Sequence, residues 1–387
     1  MPDQASQAPP ESTPPGSPRY AWNLQEASGA LGDLGTFLPH IIGAVTVVGM
    51  DPTGLFVGFG LFYALAGAVY GVPMAVQPMK AASAAILIQP MDPGSVAASG
   101  LVIGAFFLII GATGLVDRIA RILPDTITAG LQLGLGLSLA ALGVRLMGQT
   151  PWLGVGTCLL MILLMRVRKA PVALIAVVVG AVVGVVSGAS PRPPALDIGL
   201  HLPKFIWPTW PQVLNGVEHA VLPQIPLTLT NAIIVTATVS RQLFPERAAA
   251  ITERKLAITT GLGNLLAAPF GGYMMCHGAG GITGHFRFGA RTATAPLIIG
   301  ALFLSLGLFL GASGYGLLHT VPTAVLGALL VFSGIDLAVS ARPGRFKDEN
   351  LFLVLLMAAV SVAINPAAAF VVGVPLAYGI KRHWVRV

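Results

Sequence analysis

Long apolar segments alternate with short polar turns from about residue 28 almost to the end of the chain. Apolar segments of about 20 residues are long enough to cross the hydrocarbon core of a bilayer as α-helices. The pattern therefore predicts an all-α polytopic membrane protein with fourteen transmembrane segments. They lie near residues 28–49, 53–71, 73–90, 95–115, 125–147, 151–166, 171–189, 216–240, 253–270, 273–288, 293–313, 319–340, 349–364 and 366–381.

Two of these segments, the third and the tenth, are interrupted by residues that a membrane-spanning helix rarely contains. The third includes residues 71–84, GVPMAVQPMKAASA, with two prolines, a glutamine and a lysine. Because proline lacks the N–H that continues a helix, we expect extended backbone here and a new helix that starts near Pro78. A helix that starts inside the membrane presents free N–H groups and a positive dipole end, and both favour an anion.

The two interruptions occupy corresponding places in the two halves of the chain. Residues 27–189 and 216–382 each hold seven predicted segments, and the stretch 71–84 is echoed by residues 272–284, GYMMCHGAGGITG. An odd number of segments per half gives the halves opposite orientations, as in transporters built from inverted repeats. Interruptions at matching places in such repeats are the best pointer to a substrate site.

Charged residues orient the predicted segments. With the N-terminus inside the cell, 18 of the 22 lysines and arginines fall in cytoplasmic turns, as the positive-inside rule requires. We therefore predict a multi-pass protein of the cell membrane with both termini cytoplasmic. Residues 1–26, rich in proline and serine, are predicted to form a disordered cytoplasmic tail, and the proline-rich residues 190–215 an interfacial linker between the repeats.

Composition limits the other classes of function. Charged residues make up 10% of the chain, whereas a soluble protein has roughly 25%. The net charge of +7 therefore reflects orientation charges, and we expect the lipid bilayer as surroundings and no nucleic-acid partner. The seven histidines show no metal-ligand spacing and the two cysteines lie in apolar stretches, so we expect no metal, no other cofactor and no disulfide framework.

Lys80 is the only basic residue placed deep inside a predicted segment, and Gln77 lies nearby in the same motif. Ionisable side chains inside membranes are costly and usually functional, so Lys80 is a candidate for binding an anion. The alternatives are a lysine that snorkels to the interface and a structural partner of Asp33. Asp33, in the first segment, is a candidate for proton coupling or for a charge pair with Lys80, or else a cap of the first helix.

The stretch CHGAGG at residues 276–281 looks like a phosphate-binding glycine loop, but Thr283 stands where GxGxxG requires its last glycine. No βαβ unit surrounds it, so nucleotide binding is not expected. We predict an extended backbone followed by a helix start, with N–H groups open to an anion. His277 would be a donor or a titrating group there, or else a packing residue.

Four motifs together resemble the molybdate transporter family within the sulfate-permease superfamily of anion transporters. They are GDLGTFLP at 32–39, VQPMKA at 76–81, LPQIPLTLTNAIIV at 222–235 and MCHGAGGITGHFRFGAR at 275–291. The resemblance implies two inverted seven-segment repeats. These form a core domain of segments 1–4 and 8–11 and a gate domain of segments 5–7 and 12–14. Substrate would bind between half-helices in segments three and ten.

The resemblance also implies a set of substrate-binding residues, and it does not extend to the regulatory domain of sulfate permeases. Because the chain ends about six residues past the last predicted segment, no C-terminal cytoplasmic regulatory domain is expected. The implied residues are Gln77 and Lys80 on the first half-helix, His277, Gly278, Ala279 and Gly280 on the second, and Thr36, Gln224 and Asn231 as flanking contacts.

The sequence thus predicts a transporter, and not an enzyme, that imports molybdate by alternating access, with tungstate as a competitor. A sulfate or other oxyanion transporter of the same fold is the nearest alternative, and an anion channel is another. A nucleobase–cation symporter would want carboxylates where segments eight and ten carry Gln224, Asn231 and His277. A membrane enzyme acting on lipid phosphates would need a catalytic carboxylate or metal cluster. Coupling to protons or cations and assembly as a homodimer are left open.

Overall fold

The computed structural model of the protein describes residues 18–89, 91–116, 118–119, 124–167 and 171–382, except for the side chains of residues 35, 36 and 312. Helices dominate these residues, together with two short strands. The helices are α1 (Leu24–Ala30), α2 (Leu34–Thr46), α3 (Pro52–Tyr70), α4 (Lys80–Ile88), α5 (Pro93–Thr113), α6 (Asp125–Met147), α7 (Pro151–Met165), α8 (Val172–Val186), α9 (Trp210–Leu243), α10 (Glu253–Ala267), α11 (Ala279–Arg287), α12 (Thr294–His319), α13 (Thr323–Ser340), α14 (Asp348–Ala363) and α15 (Pro366–Lys381). The strands are β1 (Val76–Pro78) and β2 (Met275–His277).

Six stretches of helix within the described residues are long and apolar enough to cross a membrane. They are α3, α5, α6, α9, the part of α12 over Thr294–Gly311, and the stretch Thr323–Arg345 that contains α13. Four shorter apolar helices accompany them, at Phe37–Thr46 in α2, and α7, α8 and α15. The protein is therefore a helical multi-pass membrane protein.

Small residues let the long helices pack closely. The most extensive helix contacts join α6 to α13, α3 to α12 and α5 to α10. Between α6 and α13, a Cβ atom added to Gly136 would lie 2.5 Å from the carbonyl oxygen of Gly334, and one added to Gly143 would lie 2.5 Å from that of Gly327. These distances leave room for hydrogen only, so the backbones meet as they do at small-residue contacts in membranes.

Both predicted interruptions are extended in the structure. Gly71 ends α3 and Gly271 ends the 3₁₀ turn after α10, both in left-handed conformations with φ of 69° and 76° that glycine adopts without strain. The chain then runs into β1 and β2, which pair antiparallel with Gln77 opposite Cys276. The helix after β1 begins at Lys80 and not at Pro78, because Pro78 is still part of the strand.

The predicted N-terminal tail and the predicted linker both contain helical residues in the part of the chain that the structure describes. Within the predicted tail, α1 begins at Leu24. Glu26 fixes it, because its Oε1 accepts hydrogen bonds from the backbone N–H groups of Arg291 (2.8 Å) and Thr292 (3.0 Å). Residues 1–17 lie outside the described residues. Within the predicted linker, the chain is irregular from residue 191, and α9 already begins at Trp210.

Candidate functional site

A cavity of about 650 Å³ lies where the starts of α4 and α11 meet α6, α9 and α13. Eight of the nine predicted binding residues line it. These are Gln77, Lys80, Gln224, Asn231, His277, Gly278, Ala279 and Gly280. The ninth, Thr36, lies on α2 and its side chain is outside the described residues. The structure thus brings together residues about 200 positions apart in the sequence, and their contact with a substrate stays a prediction.

Two helix N-termini open into this cavity. Neither Met79, which precedes α4, nor Gly278, which precedes α11, caps its helix with a side-chain hydrogen bond. In the described part of the chain, the backbone N–H groups of Lys80, Ala81, Ala279 and Gly280 have no acceptor. Helix α4 follows β1 and helix α11 follows β2, and the two strands pair antiparallel. The positive dipole ends of both helices therefore lie beside this strand pair, which we call the strand crossing. Such helix starts are anion-binding elements.

Lys80 adds a full positive charge at this crossing. Its side chain is half-buried and lines the cavity, and no described residue forms a hydrogen bond or ion pair with its ammonium group. The hydrogen bond that the structure gives for Asp33 joins its Oδ1 to Gln77 Nε2 at 2.6 Å. A second carboxylate, Asp336 on α13, interacts electrostatically with Lys80. The sequence did not point to Asp336, which lies within a predicted transmembrane segment.

Glycine allows the strand crossing to close around Gln77. The Gln77 side chain is 3% exposed. A Cβ atom on Gly278 would lie 2.0 Å from Gln77 Oε1, and one on Gly281 would lie 2.4 Å from Asp33 Oδ2. Any larger residue at these two positions must displace the polar groups beneath them. Gly280 differs, because a Cβ atom there would meet nothing within 4 Å.

Gln224 and Asn231 on α9 contribute in different ways. Gln224 is 1% exposed, and its Oε1 accepts a hydrogen bond from the N–H of Ala82 (2.9 Å) while its Nε2 donates to Thr228 Oγ1 (2.8 Å). It therefore caps the first turn of α4 from another helix. Asn231 is half-buried in the π-helical stretch Thr228–Val235, and its amide has no partner among the described residues. π-Helical turns often occur at functional sites.

The His277 ring is already fully engaged. It is buried, its Nδ1 lies 3.1 Å from the carbonyl oxygen of Ala75, and its Nε2 lies 2.8 Å from Thr259 Oγ1. A carbonyl only accepts, so Nδ1 of the neutral ring donates and Nε2 is an acceptor for the Thr259 hydroxyl, whose hydrogen can also go to the carbonyl oxygen of Lys255 at 3.0 Å. Tyr70 then donates to Thr259 Oγ1 at 2.7 Å. A ring nitrogen could reach a substrate only if one of these bonds broke, so the geometry favours a supporting role for the ring.

Two arginines that the sequence indicated only as orientation charges, Arg342 and Arg345, also line the cavity. Ser340 and Asp125 line it too, and Asp125 pairs with Arg345 at 3.5 Å. Arg342 has a left-handed backbone with φ of 46°. The positive-inside pattern predicts that both arginines lie at the cytoplasmic face.

Two further observations bear on alternative sites. A second cavity of about 550 Å³ lies between the starts of α6 and α14 and the end of α15, and no predicted binding residue lines it. Among the described residues, no group of three histidine, cysteine, aspartate or glutamate side chains could hold a metal ion.

Comparison with known sequences agrees with this geometry. Residues 25–139 and 216–337 match the family described as "Molybdate transporter of MFS superfamily". The matched residues make up more than half of the chain and include every predicted binding residue. The chain belongs to the molybdate transporter family. This confirms the resemblance that the four motifs indicated.

The relatives of this family member share most of its length. It is 32% identical to "Molybdate transporter 1" of Arabidopsis thaliana over 90% of this chain and 86% of the relative. It is 31% identical to "Molybdate transporter 2" of the same plant over 89% of this chain and 84% of the relative. "Molybdate transporter 1" of Chlamydomonas reinhardtii is 29% identical over 90% and 89% of the two chains. These relatives are transporters by name, and none is named as an enzyme.

Two solved structures share the fold of this chain. The transmembrane domain of the cyanobacterial bicarbonate transporter BicA superposes with a TM-score of 0.69 at 17% identity, covering 89% of this chain and 97% of that one. The murine anion transporter Slc26a9, in its inward-facing state, gives 0.71 at 14% identity, covering 95% and 70%. At these identities the likeness concerns the fold alone.

Proposed function

We propose that the protein imports molybdate by alternating access and that tungstate competes for the same site. The observation that carries the proposal is the convergence of two helix N-termini and Lys80 on one cavity. Molybdate is a dianion at neutral pH, and free N–H groups, positive dipole ends and an ammonium group all favour negative charge. The names of the plant and algal relatives support molybdate as the substrate.

The donor set fits a fully deprotonated oxyanion. The free groups at the two helix starts, on Lys80, Ala81, Ala279 and Gly280, are all N–H donors, and every oxygen of molybdate or tungstate accepts. Sulfate has the same charge and shape, so only size separates it from molybdate. A sulfate or other oxyanion transporter therefore stays the alternative, and competition experiments decide between them.

We further infer fourteen transmembrane segments in two inverted repeats, α2–α8 and α9–α15, whose third members are the half-helices α4 and α11. The packing supports this inference. In the two repeats, α3 corresponds to α10, α5 to α12, α6 to α13 and α7 to α14. The contact of α3 with α12 therefore has its counterpart in that of α10 with α5, and the contact of α6 with α14 has its counterpart in that of α13 with α7. Likewise, α7 packs on α8 as α14 packs on α15.

Alternating access would then move a core of α2–α5 and α9–α12 against a gate of α6–α8 and α13–α15. Arg342 and Arg345 line the cavity, so this conformation gives access from the cytoplasmic face if both termini lie in the cytoplasm of the cell. Import of a dianion against an inside-negative potential costs about 2.3 kcal/mol per charge per 100 mV, so the cycle needs coupling. Asp33 is the candidate group, because it reaches the site through Gln77.

Uptake of labelled molybdate into proteoliposomes tests the proposal. We expect saturable uptake that excess tungstate abolishes and that sulfate inhibits less, together with a requirement for an ion gradient. Uptake that sulfate blocks better than tungstate would replace molybdate by sulfate as substrate. Flux of molybdate that never saturates and needs no gradient of a second, coupling ion would identify a channel.

A further inference from the structure

A chain of three hydrogen bonds, two buried and the last partly buried, connects helix α4, which begins at Lys80, to α13. Tyr273 donates to Ser83 Oγ at 2.9 Å, and Ser83 Oγ lies 2.8 Å from His40 Nδ1. His40 Nε2 lies 3.1 Å from Ser333 Oγ. His40 and Tyr273 are 1% exposed and Ser83 is fully buried, so water does not compete for the two bonds at Ser83, whereas Ser333 is half-buried. The chain begins beside β2, passes through the first turn of α4 and through α2, and ends on α13.

Two serine hydroxyls hold the His40 ring in one orientation. Ser83 Oγ accepts from Tyr273 and keeps one hydrogen and one lone pair that can meet His40 Nδ1. In one tautomer of the neutral ring, Ser83 donates to Nδ1 and Nε2 donates to Ser333; in the other, Nδ1 donates to Ser83 and Ser333 donates to Nε2. Both tautomers keep the bond between His40 and Ser333.

The last bond has a special place in the fold. Tyr273, Ser83 and His40 belong to the proposed core, whereas Ser333 belongs to the proposed gate. Between described residues, no other hydrogen bond joins core helices to gate helices. Besides the electrostatic interaction of Lys80 with Asp336, the remaining contacts between the two groups are packing contacts, and neither kind is as directional as a hydrogen bond.

We propose that the His40–Ser333 hydrogen bond is a latch that holds the core against the gate in the conformation with the open cavity. His40 is a positioning residue. Its Nδ1 side is fixed to the helix that carries Lys80, and its Nε2 side must leave Ser333 each time the core moves. The inference rests on the proposed alternating access, and it assigns a role to a histidine whose sequence context indicated none.

The expected effect is a shift in conformational balance. Loss of one hydrogen bond between neutral groups changes a two-state balance by about threefold to tenfold. In Ser333→Ala, the conformation with the closed cavity should gain population by this factor. Spin labels at Leu61 on α3 and Val178 on α8, both exposed, report the distance between core and gate by pulsed electron resonance. The two native cysteines are replaced by serine in this background.

A matched control and a double-mutant cycle separate the latch from general destabilisation. Ser305 on α12 donates only within its own helix, to Ala301 at 2.8 Å, so Ser305→Ala should leave the distance distribution unchanged. In a His40→Phe background, Ser333→Ala should add nothing, because both changes remove the same bond. Ser333→Thr, which keeps the hydroxyl, should restore the wild-type distribution. The proposal is overturned if Ser333→Ala leaves the distance distribution unchanged. It is also overturned if Ser333→Ala changes the distribution as much in the His40→Phe background as in wild type.

A metal bridge tests the latch in the opposite direction. In Ser333→Cys, His40 Nε2 and the new sulfur can share Zn²⁺, whose bonds to nitrogen and sulfur are about 2.0–2.3 Å. Locking the latch should make molybdate uptake sensitive to Zn²⁺ and recoverable with a chelator, whereas wild type and His40→Phe/Ser333→Cys should not respond. Absence of Zn²⁺ binding by the purified variant, or binding without loss of uptake, contradicts the latch.

The two proposals can fail separately. If wild type takes up no molybdate but Ser333→Ala still shifts the distance distribution, the proposed substrate is wrong and the latch stands. If molybdate uptake is saturable but neither the distribution nor Zn²⁺ sensitivity changes, the latch is wrong and the proposed function stands.

Discussion

Replacing Lys80 tests how much of the binding energy comes from its charge. Lys80→Met keeps the length of the side chain and removes the ammonium group, which is half-buried beside the two helix starts. Two unit charges 4 Å apart attract by about 4 kcal/mol at an effective dielectric constant of 20. Because Lys80 is partly solvated, a charge-assisted hydrogen bond of about 1.5–3 kcal/mol is the better guide. Molybdate affinity should therefore fall by about 10-fold to 150-fold.

Isothermal titration of purified protein with molybdate measures this loss directly. Lys204→Met is the matched control, because Lys204 is exposed in the irregular segment before α9 and far in sequence from both helix starts; it should bind as wild type does. Lys80→Arg keeps the charge and should recover part of the affinity. If Lys80→Met binds molybdate within threefold of wild type, the lysine does not contact the anion and the site is placed wrongly.

Three further predictions concern the groups around the anion. Gly278→Ala should destabilise the fold by about 1–3 kcal/mol through overpacking, whereas Gly280→Ala, with open space around its Cβ, should not. Chemical denaturation measures the free energy of unfolding of both variants, and an equal loss in the two would contradict the close approach at Gly278. Gln224→Ala leaves one buried first-turn N–H without its acceptor and should cost about 1–3 kcal/mol of stability, seen in the same assay. His277→Ala should lower the free energy of unfolding measured in the absence of molybdate, because the ring loses two buried hydrogen bonds. Asn231→Ala should lower molybdate affinity and leave the free energy of unfolding unchanged. The reverse pattern would make the histidine ring the ligand.

Much of the site could be predicted because its chemistry conflicts with its surroundings. A lysine and a glutamine between prolines stand out in an apolar chain, and their counterpart near residue 277 repeats the interruption at the same place in the second half. The rule that irregular backbone inside a membrane lines a cavity connects both to one site. The cavity indeed gathers residues from both interruptions.

The roles of individual side chains could not be predicted in the same way. His277 looks like a ligand in the sequence, yet Ala75 and Thr259 take both of its nitrogens, and this depends on how β1 and β2 pair. Gln224 likewise turns out to cap α4, which lies about 140 positions earlier in the chain. Hydrogen-bond partners that lie far apart in sequence leave no periodic signal, so only the folded chain identifies them.

His40 is a residue whose role in the structure could not be predicted from the sequence. His40 lies inside the first predicted segment and was given no role there, but the structure buries it on α2 between α4 and α13. Its partners Ser83 and Ser333 are ordinary small residues of apolar helices, and nothing in their local sequence connects them. Their relation follows only from the way the two halves pack.

The central claim is that one oxyanion binds between the starts of α4 and α11, and tungstate tests it most directly because its electron density stands out from that of protein. A structure of the protein determined with saturating tungstate should show one strong density within hydrogen-bond distance of the N–H groups that begin these helices, beside Lys80. Density in the second cavity near α14 and α15, or none at saturation, would contradict the account.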